Sequence, residues 1–324
     1  LAGDDPPERI EPLAGDASTR QYVREFRRDG STAIVMVQPH AGRREEATFL
    51  DVHGFLERLD LPVPRIERHL PEHGLIVLED LGDELLETVV QVGDDRRIAA
   101  LYEEAVDILI SMRRRTAGLT GGCGAFALAF DEVKLMEELA FFVTHFVRGF
   151  CGVEPPPHAM RALEDFFHRL VRILAAEPRI FTHRDYHSRN LLVHGDRLVM
   201  IDFQDARMGP AQYDMASLLR DSYVSLPESL VESLIRRYYD SAASRDDSLD
   251  RFVYVFDVMS LQRNIKALGT FGYQSSVRES TRYLSSIPRT AAHVARNMGR
   301  YEEFAEFRSV VEDYVWGPGM RIGD

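Results

Sequence analysis

Apolar and polar positions divide the chain into two regions of different period. Over the first eighty residues, short apolar runs alternate with turn chemistry. Segment 21–28 alternates loosely and segment 33–38 (AIVMVQ) is a continuous apolar run. Asp29-Gly30 between them predicts a hairpin, because that pair accepts the positive φ of a tight turn. Segment 43–59 places Phe49, Val52, Leu56 and Leu59 on one helical face. Pro62 and Pro64 end that helix. Segment 74–78 (GLIVL) reads as a buried strand that breaks at Leu81-Gly82-Asp83. The order is strand, strand, strand, helix, strand, strand.

Beyond Asp83 the period becomes helical. Segment 95–117 carries Ile98, Leu101, Ala105, Ile108 and Met112 on one stripe, and segments 131–150 and 158–176 are similar, with Pro155-Pro156-Pro157 between them. A compact strand-rich island at 180–203 interrupts the helices, which resume over 211–315. Segment 241–250 (SAASRDDSLD) is a polar connection between two of them. The pattern predicts an α+β fold of two lobes: residues 1–82, small and strand-rich, and residues 83–324, large and mainly helical.

Composition narrows the function. At 324 residues with 45% apolar content the chain can bury a sizeable core. Its formal charge of −13 argues against a general nucleic-acid partner or a polybasic membrane anchor, both of which need a positive surface. No apolar run approaches the roughly 20 residues of a membrane span. The opening LAGDDPPERIEP is acidic and proline-containing, unlike a signal peptide. Two cysteines, Cys123 and Cys151, do not make a secreted disulfide framework, so a cytoplasmic location is expected. Of the 39 basic residues only Lys134 and Lys266 are lysines. Nothing in the pattern calls for an obligate protein partner.

The candidate chemistry lies in the island. His183-Arg184-Asp185 is followed by Asn190, then by two short apolar runs around Gly195-Asp196, then by Asp202-Phe203-Gln204-Asp205. A hairpin through Gly195 returns Asp202 to the neighbourhood of Asn190, so three oxygen-bearing side chains converge. Phosphoryl transfer from ATP needs that set: a carboxylate to hold and deprotonate the attacking hydroxyl, and an amide and a second carboxylate to hold Mg²⁺ through oxygen. His183-x-Asp185-x-His187 also permits a transition-metal reading, which lacks a fourth soft ligand nearby. His183 and His187 read equally as scaffold beneath the loop.

The H-R-D-x-x-x-x-N string with a following D-F resembles the kinase catalytic loop. The second histidine, and Gly209-Pro210-Ala211-Gln212-Tyr213-Asp214 with Leu218-Leu219-Arg220-Asp221 after it, resemble the aminoglycoside and choline kinase-like phosphotransferases. Four further strings resemble the bacterial cell-wall-recycling sugar kinases, which phosphorylate the anomeric hydroxyl of N-acetylmuramate and N-acetylglucosamine. They are residues 12–18 (PLAGDAS), 78–83 (LEDLGD), 202–206 (DFQDA) and 260–269 (SLQRNIKALG). The resemblance runs nearly the whole length.

It implies a protein-kinase-like bilobal fold, with Asp185 as catalytic base and Asn190 and Asp202 as Mg²⁺ ligands. Gly15, Asp16, Ala17 and Ser18 would form the turn over the ATP phosphates; an ordinary hairpin turn is the alternative. Glu79 and Leu81 would flank the hinge that holds adenine; a plain strand end is the alternative. One kinase part is missing. No lysine precedes Lys134, so segment 33–38 cannot supply the usual strand lysine, and Glu45 and Glu46 on the next helix have no identified partner. Arg20, Arg43 or Arg44 could bring charge instead, or be surface residues. The sugar kinases of this branch, by the same resemblance, also lack that lysine.

For the acceptor, Gln262, Arg263 and Lys266 occupy neighbouring positions on the helix 256–271, and Asp205 follows the second carboxylate closely. A cationic pair suits an acceptor with a carboxylate, such as the lactyl group of N-acetylmuramate; a solvated helix face is the alternative. A polycationic aminoglycoside would want acidic walls, which Asp205, Asp214 and Asp221 keep open. The expected activity is an ATP-dependent kinase of a small sugar acceptor that makes the sugar 1-phosphate. A kinase of another small alcohol, and a non-catalytic nucleotide-binding regulator, are the rivals.

Overall fold

The computed structural model describes residues 6–13, 21–38, 43–241 and 248–316, and the side chains of all of these except Arg43 and Arg44. The N-terminal part is a five-stranded antiparallel sheet in the order β1-β2-β3-β5-β4. Its strands are β1 (Arg9–Pro12), β2 (Gln21–Phe26), β3 (Thr32–Val37), β4 (Ile66–Leu70) and β5 (Leu75–Glu79), with helix α1 (Arg43–Arg58) between β3 and β4. The hairpin at Asp29-Gly30 joins β2 to β3: the Arg27 N–H donates to Ser31 O at 2.9 Å, and Gly30 takes a φ of +83°.

Strand alternation explains how this sheet is used. Ala33 and Val35 of β3 meet Leu75 and Val77 of β5 in a small separate cluster on one face. Met36, Ile76 and Leu78 point to the other face and join Phe49, Val52, Phe55 and Leu56 of α1 in the main core. The strand expected over 74–78 runs one residue later. Gly74 lies outside it with a φ of +63°, and a Cβ there would meet the Gln38 carbonyl oxygen at 2.7 Å.

The chain then passes through residues 80–85 into helices α2 (Leu86–Val92), α3 (Asp95–Thr116) and α4 (Glu132–Phe142), a π-helical segment (Val143–Phe150), and α5 (Pro157–Ala175). The single helix expected over 131–150 is therefore two pieces with different winding. Strand β6 (Arg179–Thr182) pairs antiparallel with β9 (Arg207–Pro210), and β7 (Leu191–His194) forms a hairpin with β8 (Arg197–Met200). These four short strands are the island. Helices α6 (Tyr213–Leu219), α7 (Glu228–Asp240), α8 (Leu249–Ser276), α9 (Ile287–Gly299) and α10 (Ala305–Tyr314) complete the helical lobe. The polar connection expected at 241–250 falls mostly outside the described residues.

Helix α8 is the axis of this lobe. Its 28 residues are largely buried, and two glycines let it approach its neighbours closely. A Cβ at Gly269 would meet Phe142 Cα at 2.9 Å, and one at Gly272 would meet Phe146 Cα at 2.7 Å. The side of α8 carrying residues 263 and 266 is thereby held at a fixed distance from α4. Among the described residues no helix is long and apolar enough to cross a membrane.

Candidate active site

A cleft of about 1160 Å³ lies between the sheet and the helical lobe. Its walls come from β2, β3, α1, the 79–85 connector, the island and α8. The loop between β6 and β7 carries the catalytic string, and its backbone is held from below by two buried carboxylates. Asp214 accepts from the His183 N–H at 2.7 Å and the Arg184 N–H at 3.0 Å. Asp221 accepts from the Ser188 N–H and the Tyr223 N–H, both at 2.9 Å. Tyr186 plugs the loop into the core and donates to the Ala105 carbonyl at 2.9 Å. With the loop pinned at both ends, Arg184 is held at a φ of +81°.

That anchoring turns Asp185 into the cleft. Asn190 follows on a 3₁₀ turn, and its Nδ2 donates to the Asp185 carbonyl at 2.9 Å. The β7–β8 hairpin, turned at Gly195 with a φ of +64°, brings the chain back, and the Ile201 N–H donates to Asn190 O at 3.0 Å. Asp202 comes next with a φ of +63°, its Oδ2 3.4 Å from Asn190 Nδ2 and its Oδ1 accepting from Gln204 Nε2 at 2.6 Å. Phe203 packs inward against Phe49 of α1 at 5.2 Å between ring centroids, tying the island to the sheet lobe. The structure therefore brings Asp185, Asn190 and Asp202 together. Asn190 spends its amide nitrogen on the protein, which leaves Oδ1 as its oxygen for a cation. An amide oxygen beside one carboxylate is the partial, all-oxygen donor set that suits Mg²⁺ completed by phosphate and water.

Of the two histidines of the string, His183 is buried beneath the loop and His187 lines the cleft. Burial pushes His183 down to about 4 and His187 down to about 3, so both are neutral near neutral pH. Among the described residues no group of three or more His, Cys, Asp or Glu could hold a metal ion, so the transition-metal alternative finds no support there. Burial pushes Asp214 up to about 7 despite its two backbone donors. Burial works against the Asp185 carboxylate too, but Lys266, Arg184 and Arg263 outweigh it and hold the group well below the ordinary range.

Those three cations form a layer behind Asp185. Lys266 Nζ is 3.8 Å from Asp185 Oδ1. Arg263, one turn earlier on α8, donates to the Arg184 carbonyl at 2.9 Å and lies 4.8 Å from the Tyr213 ring centroid. Arg184 reaches Asp205 at 3.0 Å and Glu138 of α4 at 3.8 Å. Gln262, expected beside the acceptor, is instead fully buried; its Nε2 donates to Glu138 at 2.9 Å and it does not line the cleft. It falls on the interior side of α8, one position before Arg263, which a helix turns through about 100°. Asp205, Arg263 and Lys266 all line the cleft.

At the end of the cleft beside the 79–85 connector, where the hinge is expected, Glu79, Leu81 and Gly82 form the lining, and the Gly82 N–H donates to Asp80 Oδ1 at 3.0 Å. The expected phosphate turn at Gly15, Asp16, Ala17 and Ser18 lies outside the described residues, as do Arg20 and the side chains of Arg43 and Arg44. On β3 the cleft is lined by Ile34 rather than by a cation. Of the two carboxylates at the start of α1, Glu45 lines the cleft and Glu46 is bonded to His69 Nε2 of β4 at 2.6 Å.

The cation that sequence reasoning missed here is Arg24 of β2. It makes two bonds to Asp80, at 2.7 and 3.1 Å, and two to Asp83, at 2.8 and 2.7 Å. Its partners are 56 and 59 positions away, so no local pattern could have signalled the contact. Glu138 was missed for the same reason, and Arg189, which pairs with Glu87 at 2.8 Å and stacks over the Tyr223 ring at 3.7 Å.

The bilobal fold and the pinned loop with its three converging oxygen-bearing side chains are the arrangement expected of a phosphotransferase. The model of the phosphotransferase enzyme family matches residues 9–247, and the chain belongs to that family. It is 31% identical over 320 residues to the N-acetylmuramate/N-acetylglucosamine kinase of Pseudomonas aeruginosa, covering 97% of this chain and 91% of that one. The enzyme of the same name from Neisseria meningitidis is 28% identical over 315 residues, at 96% and 92% coverage. Among solved structures, an ADP-bound aminoglycoside phosphotransferase superposes with a TM-score of 0.61 at 14% identity, covering 89% of this chain and 92% of that one. That likeness establishes the protein-kinase-like fold.

Proposed function

We propose that this protein is an ATP-dependent, Mg²⁺-assisted kinase that phosphorylates the anomeric hydroxyl of N-acetylmuramate and N-acetylglucosamine. The observation that carries the reading is the convergence of Asp185, Asn190 and Asp202 through Asn190 Nδ2 at the floor of the cleft. The whole-length similarity to enzymes named for those two sugars supports the acceptor. So does the charge of the α8 wall, where Arg263 and Lys266 would repel a polycationic antibiotic and tolerate an anionic sugar.

The chain's own groups divide the work. Glu79 and Leu81 offer backbone groups to adenine. Asp185 accepts the proton of the sugar hydroxyl as its oxygen attacks the γ-phosphorus, and the bond from that phosphorus to the β–γ bridging oxygen breaks to release ADP. The cations beside Asp185 keep it ionised. Asn190 and Asp202 would hold Mg²⁺, which neutralises charge on the phosphates. Asp205 stands at the acceptor side, tied to Arg184. A compartment that supplies ATP and the sugar, the cytoplasm, fits the reading.

The test is purified full-length protein with Mg-ATP and a panel of N-acetylmuramate, N-acetylglucosamine, choline and an aminoglycoside, read by phosphorus NMR. Transfer to the anomeric oxygen of both amino sugars is expected. Phosphate only on a primary hydroxyl, or on no amino sugar, overturns the reading.

A further inference from the structure

We propose that Lys266 is a catalytic cation that contacts the transferring phosphoryl group, placed by helix α8 at the point of transfer where the sheet lobe supplies no lysine. The inference rests on the kinase reading above and deepens it.

The geometry locates Lys266 at the reacting end of the cleft. Its Nζ is 3.8 Å from Asp185 Oδ1, too far for a hydrogen bond and close enough to share a small ligand with it. A sugar hydroxyl that gives its proton to Asp185 lies about 2.6–3.2 Å from that carboxylate. The phosphorus it attacks lies about 3–3.5 Å further on. A cation beside Asp185 is then within reach of a non-bridging oxygen of the phosphoryl group in flight. During the step the new O–P bond forms, the proton passes to Asp185, the bond to the bridging oxygen breaks and ADP leaves with its electron pair. Lys266 gives and takes no atom; it stabilises charge spread over the phosphoryl oxygens.

The other cations near Asp185 are committed elsewhere. Arg263 is bonded to the Arg184 carbonyl and lies over Tyr213, and Arg184 is paired with Asp205 and Glu138. Lys266 has one ion pair among the described residues, the long one to Asp185. Its stem is fixed by α8, whose glycine contacts with Phe142 and Phe146 leave little room to shift. A contact with the lactyl carboxylate of N-acetylmuramate is the competing role. That group hangs from a ring carbon two positions from the anomeric one, away from the hydroxyl on Asp185, and a carboxylate at Lys266 would crowd the like charge of Asp185.

The experiment measures K266M and K266R with N-acetylmuramate and N-acetylglucosamine separately, using ATP and ATP bearing sulfur at the γ-phosphate. K266M should lower kcat about 10²–10³-fold for both sugars, with each KM within about threefold and Mg-ADP affinity unchanged; K266R should recover about tenfold or more. The rate ratio between ATP and its sulfur analogue should shrink several-fold in K266M, because a cation on a non-bridging oxygen senses the sulfur. If K266M does not fold, Lys266→Gln, which also lacks the charge, carries the ratio measurement, and its ratio should shrink in the same way. A loss confined to N-acetylmuramate, or an unchanged ratio, overturns the proposal. If the wild type phosphorylates neither sugar, the acceptor reading fails, and the ratio is measured on whichever panel acceptor reacts.

Discussion

At the scale of single residues, the role proposed for Asp185 as base has a kinetic test. Replacing Asp185 by Asn keeps the hydrogen bonds and removes the base, so kcat should fall about 10²–10⁴-fold while Mg-ATP affinity, by calorimetry, stays near wild type. An Asp185→Asn enzyme with near-normal turnover would remove Asp185 from proton transfer. A second prediction concerns pH. Burial and the neighbouring Arg220 push His293 down to about 4, below the ordinary 6.5 or so of a histidine. Its unfolded form binds a proton more readily than its folded form. The stability it contributes is thus full above about pH 6.5 and is lost as pH falls toward 4. Asp214, pushed up to about 7, works in the opposite sense, losing stability as pH rises from the ordinary carboxylate range. The His293 contribution is isolated by comparison with His293→Asn. Between about pH 7 and pH 5 the urea midpoint of the wild type should fall more than that of the variant.

At the scale of elements, α8 packs closely against the π-helical segment and lines one wall of the cleft. One side of α8 fills the core and another presents Arg263 and Lys266 to the cleft. Gly272→Ala would push a methyl into the backbone at His145 and Phe146. The expected cost is about 1–3 kcal/mol in chemical denaturation, together with reduced kcat, because α8 must move away from Asp185 to relieve the overlap. Helical periodicity located α8 within 211–315 and gave its apolar stripe. Periodicity does not say how deeply a helix is sunk. Gln262 was for that reason assigned to the acceptor, whereas the close approach at the two glycines buries it against Glu138.

For the whole molecule, Arg24 ties the sheet lobe to the connector through Asp80 and Asp83. Four bonds between a guanidinium and two carboxylates hold the entrance of the nucleotide site in one shape. Arg24→Met should raise the KM for ATP several-fold and leave the KM for the sugar unchanged in steady-state assays. Equal changes in both would assign Arg24 a general structural role. Phe203, the residue after Asp202, makes a second link between the lobes, stacked on Phe49.

The sequence by itself determined the order of strands and helices, the bilobal class and the spacing of Asp185, Asn190 and Asp202. Those follow from period, turn residues and fixed spacing, all of which are local. The short hairpin at Gly195 returns Asp202 to Asn190, as the spacing predicts. The partners of the cations were decided by tertiary structure alone. Arg24 with Asp80, Arg184 with Glu138, and Lys266 with Asp185 join residues 56, 46 and 81 positions apart. Whether a charge ends in solvent, in a pair or beside a reacting atom depends on which elements pack together. No periodicity along the chain records that.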